Sequence, residues 1–64
     1  MTLIEKLAVL KMAGYEVRYR PTANHKYPWD WYNRSTSDES TLFYATKIEA
    51  VNQALARVLK LSKR

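Results

Sequence analysis

Apolar residues near the start of the chain recur with the period of an α-helix. They are spaced at i, i+4 and i+7: Leu3, Leu7 and Leu10. Thr2 and Glu5 form a T-x-x-E capping box, in which each side chain can bond the other residue's backbone. Gly14 is suited to the left-handed conformation that commonly follows the last helical residue. Together these signals predict a first helix over residues 2–13.

The C-terminal segment carries the same two signals. Its apolar residues follow a helical stripe: Ile48, Val51, Leu55, Val58 and Leu59. Thr46 and Glu49 repeat the capping box immediately before that stripe. The pattern predicts a second helix over residues 47–60.

Between the two helices the period changes to two, which is typical of β-strands. The clearest alternation covers residues 15–20, where an aromatic or aliphatic face opposes a charged face. Residues 29–34 and 41–45 predict two further strands. The middle segment follows Pro28 and contains two tryptophans, so it could equally belong to a long ordered loop.

Two amphipathic helices and a short antiparallel sheet each need a surface against which to bury their apolar side. We therefore expect one α+β domain over residues 1–64, with the element order α-β-β-β-α, or α-β-β-α if the middle strand does not form. Both helices should pack on one face of the sheet. The opposite face should remain open and should carry Arg18 and Arg20.

Composition narrows the functional classes. The 64 residues include no cysteine, so disulfides and thiolate metal sites are excluded. The only histidine, His25, has no clustered ligands or catalytic partners around it, and no glycine-rich phosphate loop is present. The longest purely aliphatic stretch, residues 7–10, is too short to span a bilayer. We expect a cytoplasmic protein that is not an enzyme, has no cofactor and does not bind membranes.

Rings and cations are interleaved in the centre of the chain. All eight aromatic residues lie between Tyr15 and Tyr44, and the net charge of the chain is +5. Stacking rings beside guanidinium groups are suited to nucleic acid. The candidate binding residues are the following: Arg18, Arg20, Lys26, Trp29, Trp31, Tyr32 and Arg34. In this hypothesis the cations neutralise phosphates, while Tyr32 and one tryptophan stack on bases.

Each of these residues also has a structural interpretation. Cross-strand pairs between arginine and tyrosine or glutamate stabilise an exposed sheet without any ligand. Two tryptophans two residues apart fall on the same side of a strand, so at least one of them is expected in the core.

The predicted element order over nearly the whole chain resembles a double-stranded RNA-binding domain. That family has a loop histidine followed four residues later by an aromatic residue, as His25 and Trp29 are here. Its last helix has a lysine-bearing start followed by Glu-Ala, as Lys47, Glu49 and Ala50 are here. The resemblance implies binding to RNA through phosphate contacts.

The chain also departs from that family. Arg20-Pro21, with extra residues, stands where the family has glycine and proline before the histidine, and Lys47 alone stands where the family has a cluster of lysines. The strand-then-helix ending is similar to the arm-binding domains of some phage-type integrases as well. We assign the chain to neither family.

The sequence therefore favours a small basic module that binds DNA or RNA as a monomer or homodimer. The alternative is a small regulatory or inhibitor protein, of the accessory kind that phages and mobile elements encode, that docks an aromatic surface onto an acidic or larger protein partner. Salt separates these hypotheses, because phosphate contacts weaken steeply with salt and an interface of buried rings does not.

Overall fold

The computed structural model describes residues 1–23 and 25–62. The elements, in chain order, are α1 (Leu3–Met12), β1 (Tyr15–Tyr19), β2 (Trp29–Asn33) and α2 (Lys47–Ser62). The predicted α+β class is confirmed, and both predicted helices are present. None of the helices in this part of the chain combines the length and apolar character needed to cross a membrane.

Local side-chain bonds explain where the helices begin and end. The Thr2 hydroxyl accepts a hydrogen bond from the Glu5 amide at 3.2 Å, and the Glu5 carboxylate accepts one from the Thr2 amide at 2.7 Å. At the start of α2 only the first half of the predicted capping box forms. Glu49 donates its amide to the Thr46 hydroxyl at 3.2 Å, whereas the Glu49 carboxylate accepts from the Thr46 hydroxyl at 3.4 Å and not from the Thr46 amide. Gly14 follows α1 with φ +89°, a value that favours glycine.

The two strands pair as an antiparallel hairpin. In its register Glu16 lies opposite Tyr32 and Arg18 lies opposite Asp30. The segment after Pro28 is therefore a strand and not a loop. This register decides which charged side chains meet on the open face.

The third predicted strand, residues 41–45, is absent. The returning chain contacts β2 at two isolated bridges, Tyr32 with Glu39 and Trp29 with Tyr44. The two bridges are three residues apart in β2, at residues 29 and 32, but five residues apart in the returning chain, at residues 44 and 39. The returning chain therefore has two more residues between the bridges than β2 has. The extra length bends outward, and Leu42 is 65% exposed. An alternating pattern alone does not reveal such a bulge.

The core lies on the odd-numbered face of the hairpin. Its buried members are Leu10, Tyr15, Trp31, Val51 and Ala54, and both helices contribute to it. The rings of Tyr15 and Trp31 meet edge to face, with centroids 5.6 Å apart. The indole nitrogen of Trp31 is buried without an acceptor among the described residues.

Asn33 connects the end of α1 to the turn after β2. Its side-chain amide donates to the Ala13 carbonyl at 3.1 Å, while its side-chain oxygen accepts from the amides of Ser35 and Thr36 at 2.8 and 3.0 Å. A Cβ atom at Gly14 would lie 3.3 Å from that same oxygen. Glycine is therefore needed at residue 14 for its backbone conformation and for this close approach.

Candidate binding site on the open sheet face

Even-numbered strand residues collect on the face of the hairpin opposite the core. Four belong to the strands, and two arginines lie just beyond the strand ends: Glu16, Arg18, Asp30, Tyr32, Arg20 and Arg34. Strand alternation places them together because β1 and β2 pair even residues with even residues. We call these six residues the open face. It contains four of the seven candidate residues predicted from the sequence.

Arg18 and Asp30 form a bidentate ion pair at the centre of the open face. Arg18 Nε donates to Asp30 Oδ1 at 2.9 Å, and Arg18 Nη2 donates to Asp30 Oδ2 at 2.6 Å. The Asp30 side chain is only 5% exposed, so Arg18 takes the place of water as its main hydrogen-bond partner. Arg20 Nη1 approaches the same carboxylate at 3.4 Å. The hydrogen bonds to Asp30 raise the pKa of Arg18.

A second cluster surrounds Glu16. The Tyr32 hydroxyl donates to Glu16 Oε2 at 2.6 Å, and Arg34 pairs with Glu16 Oε1. The hydrogen bond from Tyr32, and then that from Arg34, lower the pKa of the Glu16 carboxyl. The same bond to Glu16 raises the pKa of the Tyr32 hydroxyl. Glu16 therefore holds a tyrosine and an arginine in fixed orientations.

A cation–π contact joins the two clusters. The guanidinium carbon of Arg18 lies 4.2 Å from the centre of the Tyr32 ring. Arg18 thus covers one side of that ring while it pairs with Asp30. Arg20 makes a longer approach of 6.0 Å to the ring of Phe43.

The charges of this region nearly balance. The open face has three arginines and two carboxylates, a net charge of +1, and the neighbouring Glu39 lies 3.8 Å from Arg18. Most of the excess positive charge of the chain therefore comes from residues outside the open face. Arg20 and Arg34 keep exposed side chains, at 46% and 67%, and each uses only one Nη atom in its ion pair. A guanidinium group has five N–H donors, so both can still donate to a ligand.

The remaining candidate residues lie elsewhere. Trp31 is a core residue, and Trp29 lies on the core side of β2, half-buried, with its ring 4.9 Å from that of Tyr19. Lys26 is exposed in the loop that closes the hairpin. A site in which a tryptophan stacks beside Tyr32 is therefore not formed by this face.

The two carboxylates of the open face were not among the candidate residues predicted from the sequence. Glu16 and Asp30 occupy the same alternating positions as Arg18 and Tyr32, and this was the available signal. Their partners depend on the hairpin register, which the sequence pattern leaves undetermined. Within residues 1–23 and 25–62 no group of three or more metal-ligating side chains could hold an ion.

No protein-family model, curated protein or solved structure matches the chain. The two-stranded sheet of the described residues also differs from the three-stranded order that resembled a double-stranded RNA-binding domain.

Proposed function

We propose that the protein is a small nucleic-acid-binding module that uses its open face. The observation that carries this proposal is the fixed array of Arg18, Tyr32 and Arg34, held by two carboxylates on a sheet face opposite the core. Tyr32 offers a ring for stacking, and Arg20 and Arg34 offer exposed donors for phosphates. In this proposal the protein binds its ligand in the cytoplasm and needs no cofactor.

Arg18 has a different role from the one its charge alone indicates. Its Nε and Nη2 atoms are used by Asp30, and its plane covers the Tyr32 ring. We assign it to positioning the ring, with Arg20 and Arg34 making the phosphate contacts. Preoriented side chains lose less conformational entropy on binding than free ones.

This division of roles predicts a shallow dependence on salt. The affinity for duplex DNA falls with a logarithmic slope of about −0.9 per phosphate neutralised, so two contacts and a rise from about 50 to about 200 mM salt lower affinity roughly tenfold. A strongly basic surface with many phosphate contacts would lose far more. The expected slope follows from the two exposed arginines of the open face, Arg20 and Arg34.

The test is a titration of labelled single- and double-stranded DNA and RNA, followed by fluorescence anisotropy at both salt concentrations. Arg34→Gln should weaken binding severalfold, and Tyr32→Leu should weaken it roughly tenfold by removing the stacking ring. Lys60→Gln is the matched control, because it removes one positive charge from α2, away from the open face. Absence of binding to all four ligands, or equal losses for Arg34→Gln and Lys60→Gln, would refute the proposal.

A second candidate function is docking onto a protein partner, as a regulatory or inhibitor protein of the accessory type. Two observations favour it: the nearly balanced charge of the open face, and the exposed apolar side chains of Tyr19, Tyr27 and Leu42, at 60%, 48% and 65%. Exposed aromatic and aliphatic groups of this kind are typical of binding surfaces. Leu42→Ser should then abolish capture of the partner without changing the response to nucleic acid, and capture should persist at raised salt.

A further inference from the structure

One edge of the hairpin carries unpaired backbone groups. Residues 14 and 20 flank β1, and their backbone groups bond across to the second strand: the Arg34 amide donates to the Gly14 carbonyl, and the Arg20 amide donates to the Pro28 carbonyl. The even-numbered residues of β1 therefore direct their backbone groups towards β2. Alternation then directs the other backbone groups of β1 to its outer edge: those of Tyr15, Val17 and Tyr19. The described residues make no backbone-to-backbone hydrogen bond to these outer groups. An edge of this kind is a template for another strand.

The sequence of β1, Tyr-Glu-Val-Arg-Tyr, is complementary to itself in the antiparallel direction. If Val17 of one copy faces Val17 of a second copy, Glu16 faces Arg18 of the second copy, and Arg18 faces Glu16. Tyr15 then faces Tyr19 on the other side of the sheet. Opposite charges across neighbouring strands stabilise a pairing.

The charges also select this register over its neighbours. A shift of two residues keeps the outer backbone groups facing each other but brings Glu16 against Glu16 of the second copy. The opposite shift brings Arg18 against Arg18. Like charges directly opposite each other are destabilising. In the register centred on Val17, the charges alternate across the boundary between the two copies. Asp30 is negative, Arg18 is positive, and Glu16 of the second copy is negative.

A cavity beside β1 lies where this register brings an aromatic residue. The cavity, of about 390 Å³, is lined by apolar and charged side chains in equal number: Leu7, Leu10, Tyr15, Val17, Lys11, Glu16, Arg34 and Lys47. In the register centred on Val17, Tyr19 of the second copy faces Tyr15 at this cavity. Tyr19 is 60% exposed in the single chain, so burial in the cavity would remove apolar surface from water.

The α1 helix adds apolar surface on the same side. Ile4 is 80% exposed, and it precedes Leu7 by three residues and Lys11 by seven, which places the three side chains on one face of the helix. Leu7 and Lys11 both line the cavity. A second copy seated on the β1 edge would therefore approach Ile4 as well.

We propose that two copies of this chain pair through the outer edge of β1, so that a continuous antiparallel sheet has the strand order β2-β1-β1-β2. Six backbone hydrogen bonds would form around a twofold axis at Val17, two in each of the three facing pairs. The pairing would place two open faces side by side on one sheet. It does not rest on nucleic-acid binding and stands or fails separately.

Sedimentation equilibrium of the full chain, from about 10 µM to about 1 mM, tests the pairing. We expect the mass to rise from 7.5 kDa towards twice that value. A synthetic chain with N-methylated Val17 lacks the central outward donor but keeps the ladder with β2, and its dissociation constant should rise roughly hundredfold or more. N-methylation of Leu42, whose amide makes no hydrogen bond among the described residues, is the matched control and should leave the dimer unchanged.

Two results would overturn the proposal: a monomer at every concentration, or an N-methyl-Val17 chain that dimerises as well as the unmodified one. If that chain does not fold, the unmodified protein decides the question. In a mixture of labelled and unlabelled chains, the Hα atoms of Glu16 and Arg18 should show an intermolecular NOE, since facing residues of this kind have Cα atoms about 4.5 Å apart. Within one strand these residues are about 6.6 Å apart along the chain axis. Absence of that NOE would contradict the register.

Discussion

Replacement of Arg18 by alanine leaves a buried carboxylate without its bidentate partner. Asp30 would lose the hydrogen bonds at 2.9 and 2.6 Å, and its side chain is only 5% exposed, so water cannot replace both of them freely. The Tyr32 ring would also lose the guanidinium that lies 4.2 Å from its centre. We therefore expect Arg18→Ala to lower stability and not merely to alter surface charge.

The size of the loss follows from the burial of the pair. Removal of one partner from a fully buried ion pair costs about 3–5 kcal/mol. Arg18 is itself 31% exposed, and Arg20 Nη1 remains 3.4 Å from Asp30, so part of the charge stays compensated. We expect a loss of about 2–3 kcal/mol in the free energy of unfolding. A chain of 64 residues has a free energy of unfolding of roughly 3–10 kcal/mol, so this loss is a large fraction of the total stability.

Urea unfolding followed by tryptophan fluorescence measures the effect. Arg34→Ala is the matched control, because it removes an arginine from an exposed pair with Glu16, and exposed pairs contribute little to stability. Asp30→Asn in the Arg18→Ala background should recover part of the loss, since the uncompensated charge is then absent. If Arg18→Ala costs no more than Arg34→Ala, the reasoning about the buried carboxylate is wrong.

Acid should weaken the fold through Asp38, whose pKa is lowered by its hydrogen bonds to Arg57 and Tyr15. A carboxyl whose pKa is lower in the folded protein stabilises the fold at pH values above its pKa in the unfolded protein, near pH 4. This stabilisation is lost as the pH falls further. Thermal melts should therefore show a fall in Tm below about pH 4 that is shallower in Asp38→Asn; an equal slope would exclude Asp38 as a cause. Gly14→Ala should cost about 1 kcal/mol or more, because φ is +89° and the new Cβ meets Asn33. D-alanine, which favours positive φ, should cost less, and the reverse order would show that the backbone conformation is not the cause.

The sequence pattern predicted those parts of the fold that depend on neighbouring residues. The capping box at Thr2, the N-cap hydrogen bond at Thr46 and the glycine at residue 14 involve partners no more than three residues away, so spacing alone identifies them. The alternation in β1 and β2 also correctly separated a charged face from an aromatic one. The prediction of a third strand was wrong because the returning chain has two more residues than β2 between the bridges that join them.

The chemistry of the candidate site was less accessible to sequence reasoning. Four of the predicted cations and rings do share one face, as their alternation required. Their ion pairs depend on the length of the loop between the strands, which decides that Arg18 meets Asp30 and that Glu16 meets Tyr32. Trp31 could not be assigned to the core from its residue type, since tryptophan is common both in cores and at interfaces.

The Asn33 side chain has a consequence for how parts of this small protein open and close. It holds the carbonyl of Ala13 and the amides of Ser35 and Thr36 through one planar amide group. Fraying of the last turn of α1 therefore breaks contacts of the turn after β2, although the two segments are about twenty residues apart in the chain. We expect native-state hydrogen exchange to report these segments as one cooperative unit with a shared opening free energy.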